Sequence, residues 1–249
     1  MQYISVMMAF ICLSSASLAE GLAWGDFRER VHEAFGNGDS EALISLAQER
    51  EEKPLEPAEW NAYWRTYLNY RAAYLAGERE ADKEKLEACA ETGKLAIERG
   101  ENSGESHALL GLCFGQLAGT DMTAGMRHGS KAQSMLDEAL MIAPENPRVL
   151  LAAGINDLYT PAQYGGDIDR AARRLEESRQ AFSQRGTSDQ AAWAPAWGMM
   201  DVHAHLAIAL ALLDRPMDAR EVLRDAEEAG VASPWLDSIR KRLEDAGLG

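Results

Sequence analysis

Lysine and arginine form no run longer than Arg240-Lys241-Arg242, cysteine occurs three times in 249 residues, and no apolar stretch reaches bilayer length. Each shortage removes a class of function. Twenty-five Lys and Arg stand against 40 Asp and Glu, giving a net charge of −15 and a pI near 4.8. A surface of that sign repels phosphate backbones, so nucleic acid is not expected as a partner. The acidic residues alternate with basic ones, as on a solvated helical exterior; a dedicated acidic docking face is the sharper alternative. The catalytic signatures are missing too. There is no G-x-S-x-G and no HExxH, and Gly165-Gly166 lacks Gly-Lys-Ser/Thr and has no strand pattern before it. His203 and His205 with nearby Asp201 look tempting, but residues two apart on a helix point about 200° apart and cannot share a metal. Cys113 has only His107 near it in sequence, off its face. The expectation is a protein that is not an enzyme, with no catalytic residue, no metal and no cofactor.

Long apolar runs are confined to the start. Ile4 to Leu13 is free of charge but shorter than the roughly 20 residues that span a bilayer. Ser14 to Ala19 is small and ends Ser17-Leu18-Ala19, a cleavage-like pattern, so residues 1–19 read as a secretory signal peptide cut after Ala19. No Lys or Arg precedes the run, and an uncleaved amino-terminal anchor is the alternative reading. The first reading predicts a periplasmic or otherwise exported protein whose mature chain, residues 20–249, has no transmembrane segment. Cys12 would leave with the leader. Cys89 and Cys113 would remain, in a compartment that permits a disulfide between them. They are not a CxxC pair; buried small hydrophobes are the other reading.

What is abundant is helical period, with no strand alternation. The pattern predicts a first helix from near Leu22 with Trp24, Phe27 and Val31 on one side, broken at Gly36-Asn37-Gly38. A second follows an Asp39 or Ser40 cap and ends before Pro54. Residues 58–76 are the most strongly patterned helix: Trp60, Tyr63, Trp64, Tyr67, Tyr70 and Tyr74 fall within about a 120° arc. A charged helix with Leu86, Cys89 and Leu95 inward follows and stops at Gly100–Gly104. Beyond it, Ala–x3–Leu–x2–Ala occurs as Ala132, Leu136, Ala139 and again as Ala219, Leu223, Ala226, with a degenerate copy at Ala171, Leu175, Ser178. Each copy follows a helix with a small residue at its contact point, Gly111, Gly154 or Ala207. Small residues let a second helix approach closely, and a larger Leu fills the groove beside them. Gly119–Gly129 reads as a long connection, Asn146-Pro147 as a cap and helix start, Asp167 as the cap of a helix to about Gln184, and 186–196 as an irregular insertion.

These residues resemble tetratricopeptide repeats: Leu110-Gly111 with Phe114 matches the family's first helix, and Ala132, Leu136, Ala139 and Pro144 its second. Leu206-Ala207 with Ala219, Leu223 and Ala226 is a further copy. The resemblance covers roughly residues 105–229 and is divergent, since two of the three pairs carry insertions. It implies an all-α, TPR-like α-solenoid of antiparallel helix pairs in a single domain over 20–249. The clearest repeats are 105–144, 147–184 and 197–229, and the helix opened by Pro234-Trp235 serves as a carboxy-terminal cap. It also implies a cell-envelope scaffold that binds a protein or peptide partner. A narrower resemblance, to exported helical-repeat subunits that accompany transporters, implies an accessory that binds a small organic ligand. Candidate binding residues are Trp60, Trp64 and Tyr67 on the aromatic stripe, Tyr159 and Tyr164 beside the Gly165-Gly166 loop, and Trp197. For the stripe and for Trp193 and Trp197 two readings stand open: packing inside the fold, or a recognition surface.

Overall fold

The structure is a computed structural model that describes residues 2–58, 60–76, 81–100, 103–185, 191–231 and 233–245; the side chains of 2–18, 76, 81, 82 and 103 are outside that description. Among the described residues the chain is entirely helical. Its helices are α1 (Gln2–Gly36), α2 (Ser40–Glu52), α3 (Trp60–Ala76), α4 (Ala81–Glu98), α5 (Ser103–Ala118), α6 (Met122–Ile142), α7 (Pro147–Tyr159), α8 (Ile168–Gln184), α9 (Met199–Leu212), α10 (Pro216–Glu228) and α11 (Pro234–Asp245). A short 3-10 turn, Ala162–Tyr164, lies between α7 and α8. No described helix is long and apolar enough to cross a membrane. The chain forms two compact units, one of Met1–Glu101 with Thr187–Pro195, the other of Asn102–Gly186 with Ala196–Gly249.

In the first unit α2 packs on α1 and α3, and α4 on α3. The helix expected near Leu22 is instead continuous from Gln2 to Gly36. Nearly all of the expected leader, residues 1–19, lies outside the described side chains. The core is aromatic. Trp24, Phe27, Trp64, Tyr63 and Tyr67 form a chain of edge-to-face contacts with centroids 5.5 to 6.2 Å apart, the geometry that the ring quadrupole favours. Two guanidiniums close it. Arg50 lies 5.1 Å from the Phe27 centroid, and Arg71 lies 4.6 Å from Phe35. The indole N–H groups are satisfied by backbone: Trp24 Nε1 donates to Glu56 O at 2.6 Å, and Trp64 Nε1 to Trp193 O at 2.9 Å.

In the second unit α5 packs on α6, α7 on α8 and α9 on α10, while α7 also touches both α5 and α9. Gly111 and Gly154 mark close approaches between helices. A methyl on Gly111 would stand 2.7 Å from Leu136 Cγ, and one on Gly154 would stand 2.7 Å from Leu175 Cγ. Ala132, Leu136, Ala139, Ala171, Leu175, Ala219 and Leu223 are all buried. Ser178, at the degenerate third position, is buried as well because its hydroxyl donates to Pro147 O at 2.7 Å. α11 covers the end, packing on α9 and α10 through Leu236, Ile239 and Leu243.

Two boundaries differ from the sequence reading. Gly119–Gly129 is mostly helix, because α6 begins at Met122, where the Asp121 side chain accepts from Ala124 N at 2.8 Å. Nothing from Met122 to Lys131 is buried, so those turns have no apolar period to betray them. α9 begins at Met199, not Trp197. Gly198 takes φ 115°, which a side-chain-bearing residue rarely adopts, and so separates Trp197 from the helix.

Candidate functional site

The six candidate binding residues separate sharply by burial. Trp64 and Tyr67 are 2% and 5% exposed, sealed in the first unit's aromatic core, and Trp60 is half-buried beside Tyr63. The stripe is therefore packing for most of its length, and the recognition reading is corrected for Trp64 and Tyr67. Trp197 is also buried. Its carbonyl accepts from Arg148 Nε at 2.9 Å, and the Arg148 guanidinium lies 5.5 Å from its ring. Arg148 is held in turn by Glu105, which also accepts from Asn146 Nδ2 at 2.8 Å. That network fixes the start of α7 and leaves Trp197 no face to offer. Tyr159 and Tyr164 are the exposed pair, at 56% and 75%. Cys89, in the first unit, and Cys113, in the second, are both disulfide-bonded.

The loop that presents the two tyrosines is rigidly built. Asp157, 1% exposed, accepts from Arg170 Nη2 at 2.7 Å and from Arg174 Nη1 at 2.6 Å. Arg170 donates as well to Gly165 O at 2.6 Å, and Asp157 O accepts from Asp167 N at 3.0 Å. Gly166 has no alternative, since a methyl there would stand 1.6 Å from Thr160 O. Asp167 caps α8 through Arg170 N, and that bond holds its carboxyl below the usual range.

Tyr159 closes α7, and its hydroxyl turns inward to share a 3.1 Å hydrogen bond with His205 Nδ1. His205 is buried on α9, and Trp235 of α11 meets it edge-on at 5.0 Å. Desolvation raises the Tyr159 phenol above its ordinary value, opposed by the positive charge of Arg242 on α11. Three helices thus bring a phenol, an imidazole, an indole and a guanidinium to one place. The two histidines of α9 do point apart as spaced: His203 Nδ1 donates to Met199 O at 2.7 Å, and burial lowers its pKa. Among the described residues no group of three or more His, Cys, Asp or Glu is placed to hold a metal ion.

Exposed apolar side chains also stand at three helix turns of the second unit. Met122 and Met126 follow the α5–α6 turn, Tyr159 and Tyr164 flank the α7–α8 turn, and Leu212 and Met217 flank the α9–α10 turn. The first unit offers a separate cleft of about 290 Å³ between α1 and α2, lined by Arg30, Glu33, Asn37 and Asp39 among others. That volume is at the lower end for a small-ligand site, and its lining is more polar than such sites usually are.

No family profile matches the chain, and no curated protein matches it. Among solved structures the chain is similar to the HusA haemophore from Porphyromonas gingivalis. The identity is 26% and the TM-score 0.59, over 68% of this chain and 84% of that one.

Proposed function

We propose that this chain is an exported, non-catalytic binding protein whose ligand is a haem-type tetrapyrrole, carried on a TPR-like α-solenoid of antiparallel helix pairs. The observation that carries the ligand is the likeness to a haemophore over most of both chains. Site chemistry supports it: an exposed tyrosine ring whose phenol pairs with an imidazole offers an aromatic surface with one polar anchor for a flat apolar ligand.

The solenoid is supported by which ends meet. Gly104 faces Ala143 and Gly111 faces Leu136, so α6 returns along α5; Pro147 meets Ser178 and Gly154 meets Leu175, so α8 returns along α7. Glu105 meets Arg148, and Gly115 lies across from Asn156, which sets α5 and α7 side by side in one sense. Arg148 meets Trp197 just ahead of α9, and Tyr159 meets His205, which extends that order to α9. The α5–α6, α7–α8 and α9–α10 turns then fall along one edge. Export rests on the leader-like residues 1–19 and on the haemophore likeness.

The same exposed apolar residues favour a second reading, a scaffold for a protein partner, because apolar side chains left at helix turns suit an interaction surface. Titration of the mature chain with haemin, followed by absorbance and tryptophan quenching, separates the two. Saturable binding is the expected result. Its absence, together with one stoichiometric protein crosslinked through Met122, Tyr164 or Met217, would replace the ligand reading with the scaffold.

A further inference from the structure

We propose that the turn edge of the second unit is a membrane-docking surface, seated on a bilayer with anionic headgroups. Docking needs no haem and stands apart from the ligand reading. The α5–α6, α7–α8 and α9–α10 turns leave large apolar side chains in water. Met122, Met126, Tyr164, Leu212 and Met217 are each more than half exposed. α7 packs beside both α5 and α9, and packed helices lie about 10 Å apart, so the three turns span roughly 20 Å. These side chains stand on the tips of helix pairs, where they can enter a flat interface while every helix stays intact. Thioethers, a leucine and a phenol ring with one polar end suit the headgroup boundary. No described helix is long and apolar enough to cross a membrane, so this edge would lie on the bilayer and not span it.

Charge selects a lipid surface over a second copy of the chain. The chain carries −15, yet the turn edge does not share that sign. Residues 119–133 hold one acid, Asp121, against Arg127 and Lys131. Residues 157–174 hold three acids and three arginines, and residues 212–224 hold three of each. The opposite end of the unit is acidic. Residues 134–147 carry Asp137, Glu138 and Glu145 with no cation, and residues 225–230 carry three acids with no cation.

Two arginines at the turn edge are placed to meet headgroups. Arg127 follows Met126 on α6, and Arg173 lies near the α7–α8 turn, where its charge reaches the Asp167 carboxylate. Both are exposed, and neither forms an ion pair among the described residues. Physiological salt screens charge beyond about 8 Å, which hides the acidic end from a surface touched at the turns. A second copy docked edge to edge would bring like charge to like charge. Anionic headgroups instead give both arginines a partner.

The test uses the mature chain with vesicles of phosphatidylcholine containing roughly 30% phosphatidylglycerol, and with vesicles of phosphatidylcholine alone. Cosedimentation should show saturable binding to the mixed vesicles that weakens as salt rises. Hydrogen exchange should show lipid-induced protection at residues 119–127, 160–167 and 212–217, and none at 141–146. Met122→Ser with Met217→Ser should weaken binding by roughly thirtyfold. Met141→Ser, comparably exposed at the acidic end of α6, should leave it unchanged. Arg127→Gln with Arg173→Gln should weaken binding to the mixed vesicles by about twentyfold and change binding to phosphatidylcholine alone by less than about twofold. All of these side chains are exposed, and circular dichroism checks each fold. Absence of saturable binding to the mixed vesicles overturns the proposal. So does a double methionine or double arginine variant that binds them as tightly as wild type. A dimer or a stoichiometric protein complex that the double methionine variant loses, in a chain that ignores both vesicles, assigns the edge to a protein and overturns the lipid surface.

Discussion

The Asp157 clamp allows a test in which the direction of the asymmetry matters more than the size of any one loss. The carboxylate is 1% exposed, while the side chains of its partners Arg170 and Arg174 are 35% and 24% exposed. Asp157→Ala removes two charge-assisted hydrogen bonds, but both guanidiniums can turn to water. The loss should be about 2–3 kcal/mol, below the sum for two fully buried bonds. At about 2–4 °C per kcal/mol for a chain of this size, the melting temperature should fall by roughly 4–12 °C. Arg170→Met with Arg174→Met does the reverse. It strands a buried carboxylate without a charged partner and should cost about 3–5 kcal/mol. Adding Asp157→Leu to that pair removes the stranded charge and should recover part of the loss. The assay is thermal unfolding by circular dichroism, repeated in urea to obtain the midpoint shift at constant slope. If the double arginine variant proves the milder change, or Asp157→Ala costs less than about 0.5 kcal/mol, the buried carboxylate is not what holds α7 to α8.

Three other outcomes follow from the same geometry. Gly154→Val should destabilise by about 3 kcal/mol or more, because its first carbon already stands 2.7 Å from Leu175 Cγ; Gly115→Ala, with nothing nearer than Asn156 Oδ1 at 3.8 Å, should be neutral or stabilising. Both are read from urea midpoints. His203 is held neutral by burial, so its folded pKa lies below the unfolded value near 6.5. Its contribution is complete above that value and is lost as pH falls through the folded pKa, since the unfolded chain then binds the extra proton. The melting temperature should therefore fall from pH 7 toward pH 5, and His203→Gln should flatten that slope. Finally, the mature chain, denatured without reductant, should show no titratable thiol; a free thiol would contradict the bonded state of Cys89 and Cys113.

The α5–α6 and α7–α8 contacts were legible because close packing restricts residue type at single positions. Gly111 and Gly154 stand where a methyl would collide with the Leu of the returning helix, so the small residue and its Leu partner announce the contact in the sequence. The first ten residues of α6 were not legible, since none of them is fully buried and the span leaves no apolar period to read. Nor could period separate the two meanings of the α3 stripe. A core face and a binding face share the 3.6-residue repeat, and only burial shows that Trp64 and Tyr67 face inward.

The candidate site escapes sequence reading for a different reason. Tyr159, His205 and Trp235 come from three helices, 46 and 30 residues apart along the chain, and no local spacing links them. Spacing along α9 argues against His205 as well, because its neighbour His203 points to another side of the helix and the two share no ligand. What pairs with His205 is the last residue of α7, delivered by the side-by-side run of α7 and α9. The residues that specify this placement are the small ones at the helix contacts and the Asp157 clamp, none of which touches the site. A substitution at Gly154 should therefore disturb haemin binding as well as stability, whereas a surface change such as Arg224→Ala should disturb neither. Equal effects of the two on haemin affinity would mean that the site does not depend on how α7 is seated.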